Sequence, residues 1–456
     1  MERERLKSRL GFILISAGCA IGIGNVWKFP YMTGKGGGGA FVLLYLIFLV
    51  MLGLPIMTME FSIGRAARKS PVLAYQRLEP AGSKWHIHGI VALIGNYLLM
   101  MFYTTVTGWM LHYFYLTVTG RFEGLDSDGV LNAFNTMLKQ PGIMIFWMVV
   151  VVALGMCIVS RGLEAGLENI TKIVMVILLV VMIILAVNSF FLKGAAEGLK
   201  YYLVPNIGRI KETGVGNVIT GAMNQAFFTL SLGIGAMLIF GSYISNDRSM
   251  LGESVTIVIL DTFVAIVSGL IIFPATFTYG VDQTSGPALI FITLPNIFNK
   301  MPLGRLWGSF FFIFMSFAAF STVLAVFENI VSCGMDLTKK TRKKVSLFNL
   351  ILIIILSLPC VFGFNIWSFG WLTPFGGTIL DLEDFLVSNI ILPLGSLVYL
   401  LFCVSRYGWG WDNYLKECNK GEGLKMKNWM RFYLTFILPI IVLFIFVFGI
   451  YDKFFK

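Results

Sequence analysis

The stretch Ser16-Ala-Gly-Cys-Ala-Ile-Gly-Ile-Gly-Asn25 breaks the first hydrophobic segment of the chain with closely spaced glycines. The stretch Phe227-Phe-Thr-Leu-Ser-Leu-Gly-Ile-Gly-Ala236 breaks the sixth segment in the same way. An unwound backbone in lipid leaves N–H and C=O groups unpaired, so it persists only where it lines a cavity or binds a ligand. Breaks at corresponding places in two halves are typical of inverted-repeat transporters with a binding site near the bilayer midplane.

Helix packing is the alternative explanation of these glycines. Gly18-x-x-x-Gly22 is also a pattern of small residues that lets two membrane helices approach closely. The second break at Gly233-x-Gly235 favours a ligand site, because packing alone does not require two matched breaks. Polar residues also flank the breaks: Asn25, Thr229 and Ser231.

The composition indicates that lipid is the solvent. The 456 residues are 57% apolar and 13% charged, whereas soluble domains are about 25% charged. A spanning helix needs roughly 20 mostly apolar residues. Eleven segments meet this requirement: 9–35, 39–64, 86–119, 142–160, 165–192, 216–243, 251–279, 306–335, 346–367, 379–404 and 428–450. We therefore predict an all-α membrane protein in which residues 1–456 form one transmembrane domain.

The positive charges predict the orientation. Placing the N-terminus in the cytoplasm and the C-terminus outside puts most Lys and Arg residues in the inner loops, as the positive-inside rule requires. We therefore expect a multi-pass protein of the plasma (inner) membrane. The net charge of +11 then faces anionic membrane lipid rather than nucleic acid.

Asp261 lies in the otherwise apolar run Val255–Pro274. A carboxylate at the centre of a membrane helix costs roughly 2.5–3.5 kcal/mol on insertion scales, so it faces the protein interior and has a partner there. A desolvated cation, a proton, or a hydrogen bond from a neighbouring helix would each satisfy it. Glu60 and Glu328 are further intramembrane carboxylates: we expect Glu60 to hold backbone N–H groups of a broken helix, and Glu328 to be either a gate residue or a helix-end charge.

Ser321 and Thr322 follow Ala318 on the eighth segment. Hard cations are bound by several oxygen atoms, which segments 1 and 8 would supply together, although such hydroxyls commonly bond their own helix backbone. The chain lacks the motifs of nucleotide-binding loops, hydrolases and zinc proteases. We therefore predict no enzyme activity, and transport driven by an ion gradient.

Several longer motifs resemble the neurotransmitter:sodium symporter family, in particular its bacterial LeuT-type members, and the resemblance covers nearly the whole chain. The motifs are Ser8-Arg-Leu-Gly-Phe12, Gly22-x-Gly-Asn-x-Trp-Lys-Phe-Pro-Tyr31, Gly37-Gly-Gly-Ala-Phe41, Gln225-Ala-Phe-Phe-Thr-Leu-Ser-Leu-Gly-x-Gly235 and Asp381-x-x-Asp384. The resemblance implies a LeuT-type fold of two inverted five-helix repeats, about 9–192 and 216–404, with an eleventh transmembrane helix at about 428–450. It also implies Na⁺-coupled uptake of a small amino acid.

The resemblance assigns site residues. The first Na⁺ site would use Ala20, Asn25, Thr229 and Asp261 with the substrate carboxylate. The second Na⁺ site would use Gly18, Ile21, Ala318, Ser321 and Thr322. The substrate pocket would be lined by Ala20, Ile23, Gly24, Leu99, Tyr103, Phe228, Ser231, Ile234, Thr322 and Val326. Lys28–Asp384 would form the outer ionic gate above the lid residues Phe228 and Tyr103, and Arg3–Asp336 would close the cytoplasmic side.

Departures from the family pattern sharpen the expected function. Amine-transporting relatives have an Asp where this chain has Gly22, so we expect neutral hydrophobic L-amino acids, aliphatic or aromatic. Many relatives have Asn in place of Asp261 and rely on chloride or on an acidic residue one turn later, where this chain has Ala265, so we expect chloride-independent transport. The fifth segment lacks the usual Gly-x9-Pro, because Val176 follows Gly166. A non-transporting amino-acid sensor, docking through the 405–427 loop, is the alternative; the oligomeric state stays open.

Overall fold

The computed structural model describes residues 4, 6–280, 289–368 and 377–455, and within these ranges the regular structure is helical apart from an isolated bridge between Arg248 and Glu422. The helices of the first half of the chain are α1 (Arg9–Ala20), α2 (Phe29–Lys35), α3 (Gly39–Phe48), α4 (Leu54–Ala67), α5 (Pro71–Leu78), α6 (Ile87–Val118), α7 (Ser127–Lys139), α8 (Pro141–Ser160), α9 (Asn169–Phe190), α10 (Ala195–Leu203) and α11 (Ile207–Thr213). π-Helical turns occur at Gly24–Lys28, Leu49–Gly53 and Leu163–Glu168.

The second half repeats the pattern of long helices joined by short ones. Its helices are α12 (Val215–Thr229), α13 (Ala236–Gly241), α14 (Met250–Tyr279), α15 (Leu294–Lys300), α16 (Gly304–Thr338), α17 (Arg342–Phe362), α18 (Ile379–Phe385), α19 (Leu392–Val404), α20 (Trp411–Cys418), α21 (Met430–Phe432) and α22 (Leu438–Phe455). π-Helical turns occur at Leu289–Thr293, Leu386–Ile391 and Tyr433–Ile437.

Nine helices in the described ranges are long and apolar enough to cross a membrane, counting those that continue through a π-turn as one. The bent pair α1 and α2 makes a tenth, with an angle of 53° between its halves. The sixth predicted segment is absent from this set because its halves, α12 and α13, have only 15 and 6 residues. The count of eleven spans therefore stays a prediction.

Burial places the spans relative to the centre of the bundle. In the most apolar part of α16, 78% of residues are buried, against 22% in the last span, Met430–Tyr451. The long helix α16 packs on α6, on α1 of the first broken segment and on α13 of the second. The two broken segments are thus held against a central helix, and the last span lies at the lipid-facing edge.

The break between α12 and α13 depends on glycine. Gly233 and Gly235 have φ of +96° and +73°, a region that residues with a Cβ avoid. A Cβ on Gly233 would also lie 2.3 Å from the carbonyl oxygen of Leu392. Ser231 adopts φ of +50° in the same turn, which is uncommon for a residue with a side chain.

Candidate functional site

The break after α1 turns backbone oxygens towards α16. The hydroxyl of Ser321 lies 3.1 Å from the carbonyl oxygen of Ile21 and 2.8 Å from that of Ala318. The hydroxyl of Thr322 lies 3.4 Å from the carbonyl oxygen of Gly18 and 3.3 Å from that of Ile21. The five residues assigned to the second Na⁺ site thus come together around one point, with three carbonyl and two hydroxyl oxygens. This set suits a small hard cation.

The first predicted Na⁺ site is built around Asp261. Its side chain is fully buried, and Oδ1 accepts a hydrogen bond of 2.8 Å from the amide of Asn25. Oδ2 accepts one of 3.3 Å from the hydroxyl of Thr229. The amide oxygen of Asn25 in turn accepts from the backbone N–H of Gly22. Ala20, the fourth predicted ligand, makes no hydrogen bond to this group and lines the adjoining pocket.

A small cavity separates the two breaks. Its walls are Ala20, Gly22, Gly24, Leu99, Tyr103, Phe228, Ser231, Ile234, Thr322 and Leu392. Eight of the ten predicted pocket residues are in this wall. The cavity volume is about 20 Å³, which is room for about one water molecule. An amino acid therefore enters only if these walls move apart.

Two predicted pocket residues lie elsewhere. Val326 is fully buried on α16, and Ile23 lines an outer cavity of about 270 Å³. The backbone N–H of Ile23 does contact the site, because it donates a 3.0 Å hydrogen bond to the hydroxyl of Tyr103. Gly22 and Leu392 line the cavity but are not in the predicted pocket set. Leu392 has no local signal, since only the fold brings it against Gly233.

Gly22 leaves no room for a side chain. A Cβ at this position would lie 2.3 Å from the hydroxyl oxygen of Tyr103 and 2.4 Å from that of Thr322. Both distances are far below van der Waals contact. An acidic side chain at this position would therefore require both Tyr103 and Thr322 to move.

Lys28 closes the cavity at one end of the bundle, which we call the outer end. Its ammonium nitrogen is 3.6 Å from Oδ2 of Asp384 and 3.7 Å from the centre of the Phe228 ring. Ser388 joins the group by donating a 2.7 Å hydrogen bond to Asp384. A partly exposed ion pair contributes only about 0–1 kcal/mol, so this closure is easily reversed.

A buried ion pair lies at the opposite, inner end. Glu328 is fully buried within α16, and its carboxylate accepts hydrogen bonds of 2.5 and 3.1 Å from Arg342 and one of 2.5 Å from Tyr243. Arg342 also pairs with Glu4 at 3.2 Å. Sequence spacing does not reveal this pair, because Glu328 and Arg342 are 14 residues apart on two different helices.

The predicted inner gate pair is only half described. Arg3 lies outside the described residues. Asp336 accepts hydrogen bonds from the backbone N–H and the hydroxyl of Ser70, at 2.9 and 2.6 Å. Glu60 accepts a 2.6 Å hydrogen bond from the N–H of Gly233, so its carboxylate does hold a backbone group of the second break.

This architecture defines a membrane transporter: two broken helices enclose a central cavity, oxygen-rich sites lie beside both breaks, and separate closures lie at the two ends. The sodium:neurotransmitter symporter family model matches residues 3–125 and 127–454. The chain belongs to this family. Its members are Na⁺-coupled transporters, and Na⁺ is the coupled ion here.

Relatives and solved structures agree with this assignment. The chain is 34% identical to YhdH, an uncharacterised sodium-dependent transporter of Bacillus subtilis (strain 168), with 96% of each chain covered. It is 26% identical to the sodium-dependent serotonin transporter of Drosophila melanogaster, over 98% of this chain and 76% of that one. The crystal structure of MhsT in complex with L-phenylalanine matches with a TM-score of 0.88 and 36% identity, over 98% of this chain and 99% of that one. The predicted all-α LeuT-type fold is confirmed, and the relatives are transporters rather than enzymes.

Proposed function

We propose that this chain takes up neutral hydrophobic L-amino acids, aliphatic or aromatic, together with Na⁺, by alternating access and without chloride. The observation that carries the proposal is the convergence of two oxygen sites on one cavity whose remaining walls are apolar. The outer end would face the extracellular solution. Gradient-driven uptake then needs the Lys28–Asp384 closure and the inner closure to open in turn.

Gly22 supports a substrate that brings its own carboxylate. An ammonium-binding Asp at this position would have to displace Tyr103 and Thr322, whereas backbone N–H groups near a helix end suit an anionic group. Leu99, Ile234 and Leu392 form an apolar wall for the substrate side chain. The similar protein MhsT was crystallised with L-phenylalanine, an amino acid of the proposed class.

Asp261 supports chloride independence. Its fixed negative charge lies beside the proposed first Na⁺ position, where it offsets the charge of the cation without an added anion. The family resemblance would place Tyr45 and Gln225 where chloride-dependent relatives hold the anion, and here Gln225 donates a 2.8 Å hydrogen bond to the carbonyl of Gly24. The Gln225 amide is thereby engaged in holding the break.

Proteoliposome uptake tests this function. Purified protein in liposomes with an imposed inward Na⁺ gradient should accumulate a radiolabelled L-amino acid from a panel that includes leucine, phenylalanine and tyrosine. Dopamine serves as the competing amine. Preference for dopamine over these amino acids would contradict the substrate class, and binding without accumulation would favour the sensor.

The 405–427 loop bears on the sensor alternative. Within it, α20 packs on α4, where Glu417 accepts a 2.7 Å hydrogen bond from the buried guanidinium of Arg65. The side-chain amide of Asn419 donates a hydrogen bond to the carbonyl of Met426 and accepts one from the backbone N–H of Met426. Much of this loop is thus engaged with the transporter body, which favours a structural role over a docking surface.

A further inference from the structure

Glu383 is a buried carboxylate beside the outer closure. It directly precedes Asp384 on α18, yet it is 4% exposed, whereas the Asp384 side chain is 35% exposed. Three other residues of this helix, Leu380, Asp381 and Asp384, line the outer cavity. Glu383 points away from that cavity and packs inside the bundle. None of the roles assigned above uses it.

The surroundings of Glu383 do not stabilise a negative charge. Neither carboxylate oxygen has a hydrogen-bond partner within the described ranges, apart from the weak donor that faces it, the thiol of Cys360 on α17. The same thiol faces the hydroxyl of Thr105 on α6, and that hydroxyl is directed to the backbone of its own helix. Glu383 therefore differs from Glu328, whose carboxylate has three strong donors.

The charged groups around Glu383 make its ionisation harder still. On its own helix the charged neighbours are Asp381 and Asp384, both acidic. The adjoining π-turn Leu386–Ile391 has no ionisable side chain. On α17, the ionisable group that faces Glu383 is the thiol of Cys360. On α6, the residue that faces this thiol is Thr105, which is neutral. Lys28 is already held by Asp384 and the Phe228 ring.

An ionised carboxylate without a partner is too costly to bury, and such a group takes up a proton instead. We propose that Glu383 is a proton-binding site: its carboxylate takes one proton from the external water when the outer end closes, and returns it when the outer end opens. The proton forms one O–H bond on the carboxylate and leaves by the same route. No other ion is required.

The link to the closure follows from the helix that carries both residues. Opening the outer end separates Asp384 from Lys28, and α18 has to move for this separation. That motion admits water to Glu383 and allows it to ionise. Proton binding to Glu383 favours the closed form, so an acidic external solution favours closure. The two effects are reciprocal: closure raises the proton affinity of Glu383 by the same factor by which proton binding stabilises the closed form. The coupling to transport rests on the proposed function, whereas the protonated state in the closed form does not.

Infrared spectroscopy tests the protonated state directly. Full-length protein in liposomes with saturating Na⁺ would be measured at neutral pH, with and without L-phenylalanine, as wild type and as Glu383→Gln. The wild type should show a carboxylic-acid C=O absorption that the variant lacks. Glu197→Gln, an exposed glutamate on α10, is the matched control and should lose only carboxylate absorption. If Glu383→Gln also loses only carboxylate absorption, the proposal is overturned.

A second variant decides the matter if Glu383→Gln does not fold. Cys360→Ser replaces a weak thiol donor with a stronger hydroxyl donor facing the same carboxyl group. The carboxylic-acid absorption should then shift to lower frequency. An unshifted absorption would overturn the assignment to Glu383.

Uptake measurements test the link to the closure. Na⁺-driven accumulation by the wild type should change severalfold with the external pH between weakly acidic and weakly alkaline solution, and this dependence should be lost in Glu383→Gln and kept in Glu197→Gln. The same pH dependence in Glu383→Gln would contradict the link. If the wild type accumulates no amino acid of the panel, the proposed function fails, and the infrared result still decides the proton site.

Discussion

The two proposed Na⁺ sites differ in the source of their negative charge. The first has a fully buried carboxylate, Asp261, with Asn25 and Thr229 as neutral partners. The second has only neutral oxygens, from the end of α1 and from Ser321 and Thr322. Its electrostatic support comes from the C-terminal end of α1, where unpaired carbonyls carry about half a negative charge.

This difference teaches how one fold can hold two like cations close together. In the proposed arrangement, the Asp261 carboxylate would offset the charge of the cation at the first site without an additional anion. The end of α1 would offset part of the cation's charge at the second site without a titratable group. We therefore expect the first site to be sensitive to the charge of one residue, and the second to the number of oxygens.

The largest effect is expected from Asp261→Asn. Removing one charge from a buried pair costs about 3–5 kcal/mol, or more than about 100-fold in affinity. The Na⁺ concentration required for half-maximal substrate binding, measured by scintillation proximity in chloride-free buffer, should rise by that factor. Asp128→Asn, on the exposed start of α7, should leave it unchanged. If Asp261→Asn kept the Na⁺ dependence of the wild type, the first site would not depend on the charge of Asp261, and the proposed difference between the two sites would be wrong.

Gly22→Ala should disturb both sites, because its Cβ would meet Tyr103 on one side and Thr322 on the other. Overpacking of this kind costs about 1–3 kcal/mol, so substrate affinity should fall about 10- to 100-fold. Gly142→Ala is the control, since a Cβ there meets open space. Equal substrate affinity in the two variants would show that the segment around Gly22 has room for a Cβ.

Ser321→Ala should have a smaller effect, confined to the second site. Loss of one neutral oxygen ligand is expected to cost about 1–1.5 kcal/mol, or about 10-fold in Na⁺ affinity. The control Ser316→Ala lies on the same helix and is buried, but its hydroxyl bonds only the carbonyl of Phe312. If both serine variants titrate with Na⁺ alike, Ser321 is not a ligand.

The smallest effect is expected from Lys28→Arg at the outer end. A planar guanidinium can meet Asp384 with two hydrogen bonds, but a partly exposed pair is worth at most about 1 kcal/mol. Substrate dissociation, followed by chase with unlabelled amino acid, should slow by no more than about 5-fold. Faster substrate dissociation from Lys28→Arg than from the wild type would mean that the contact of Lys28 with the Phe228 ring stabilises the closed form more than an added hydrogen bond to Asp384 does.

Much of the fold was predictable because lipid imposes strong rules on sequence. Long apolar runs predict spans, and glycine breaks in lipid predict a site, so the broken segments at Gly18–Gly24 and Gly233–Gly235 were visible without any structure. The bend at the first break and the positive φ values at the second agree with that reading. The oxygen-bearing residues of segments 1 and 8 already suggested a shared cation site, and the family resemblance assigned the individual residues.

Other parts of the site depend on contacts that sequence spacing does not reveal. Leu392 enters the cavity wall because a distant helix packs on Gly233, and Glu328 finds its partner Arg342 across a turn between two helices. Val326 is buried on α16 and is not among the residues that line the described cavity, so its assignment to the pocket stays a prediction. In the fifth segment, which lacks the usual Gly-x9-Pro, a π-helical turn still forms at Leu163–Glu168 around Gly166.

The most direct test of the charge comparison is Na⁺-driven amino-acid uptake with chloride present and with chloride fully replaced by gluconate, in the wild type and in Asp261→Asn. The wild type should accumulate substrate equally in both solutions, because Asp261 carries the required charge. Asp261→Asn should be inactive without chloride and either regain uptake with it or stay inactive. Chloride-dependent uptake by the wild type, or unchanged chloride-free uptake by Asp261→Asn, would contradict the account.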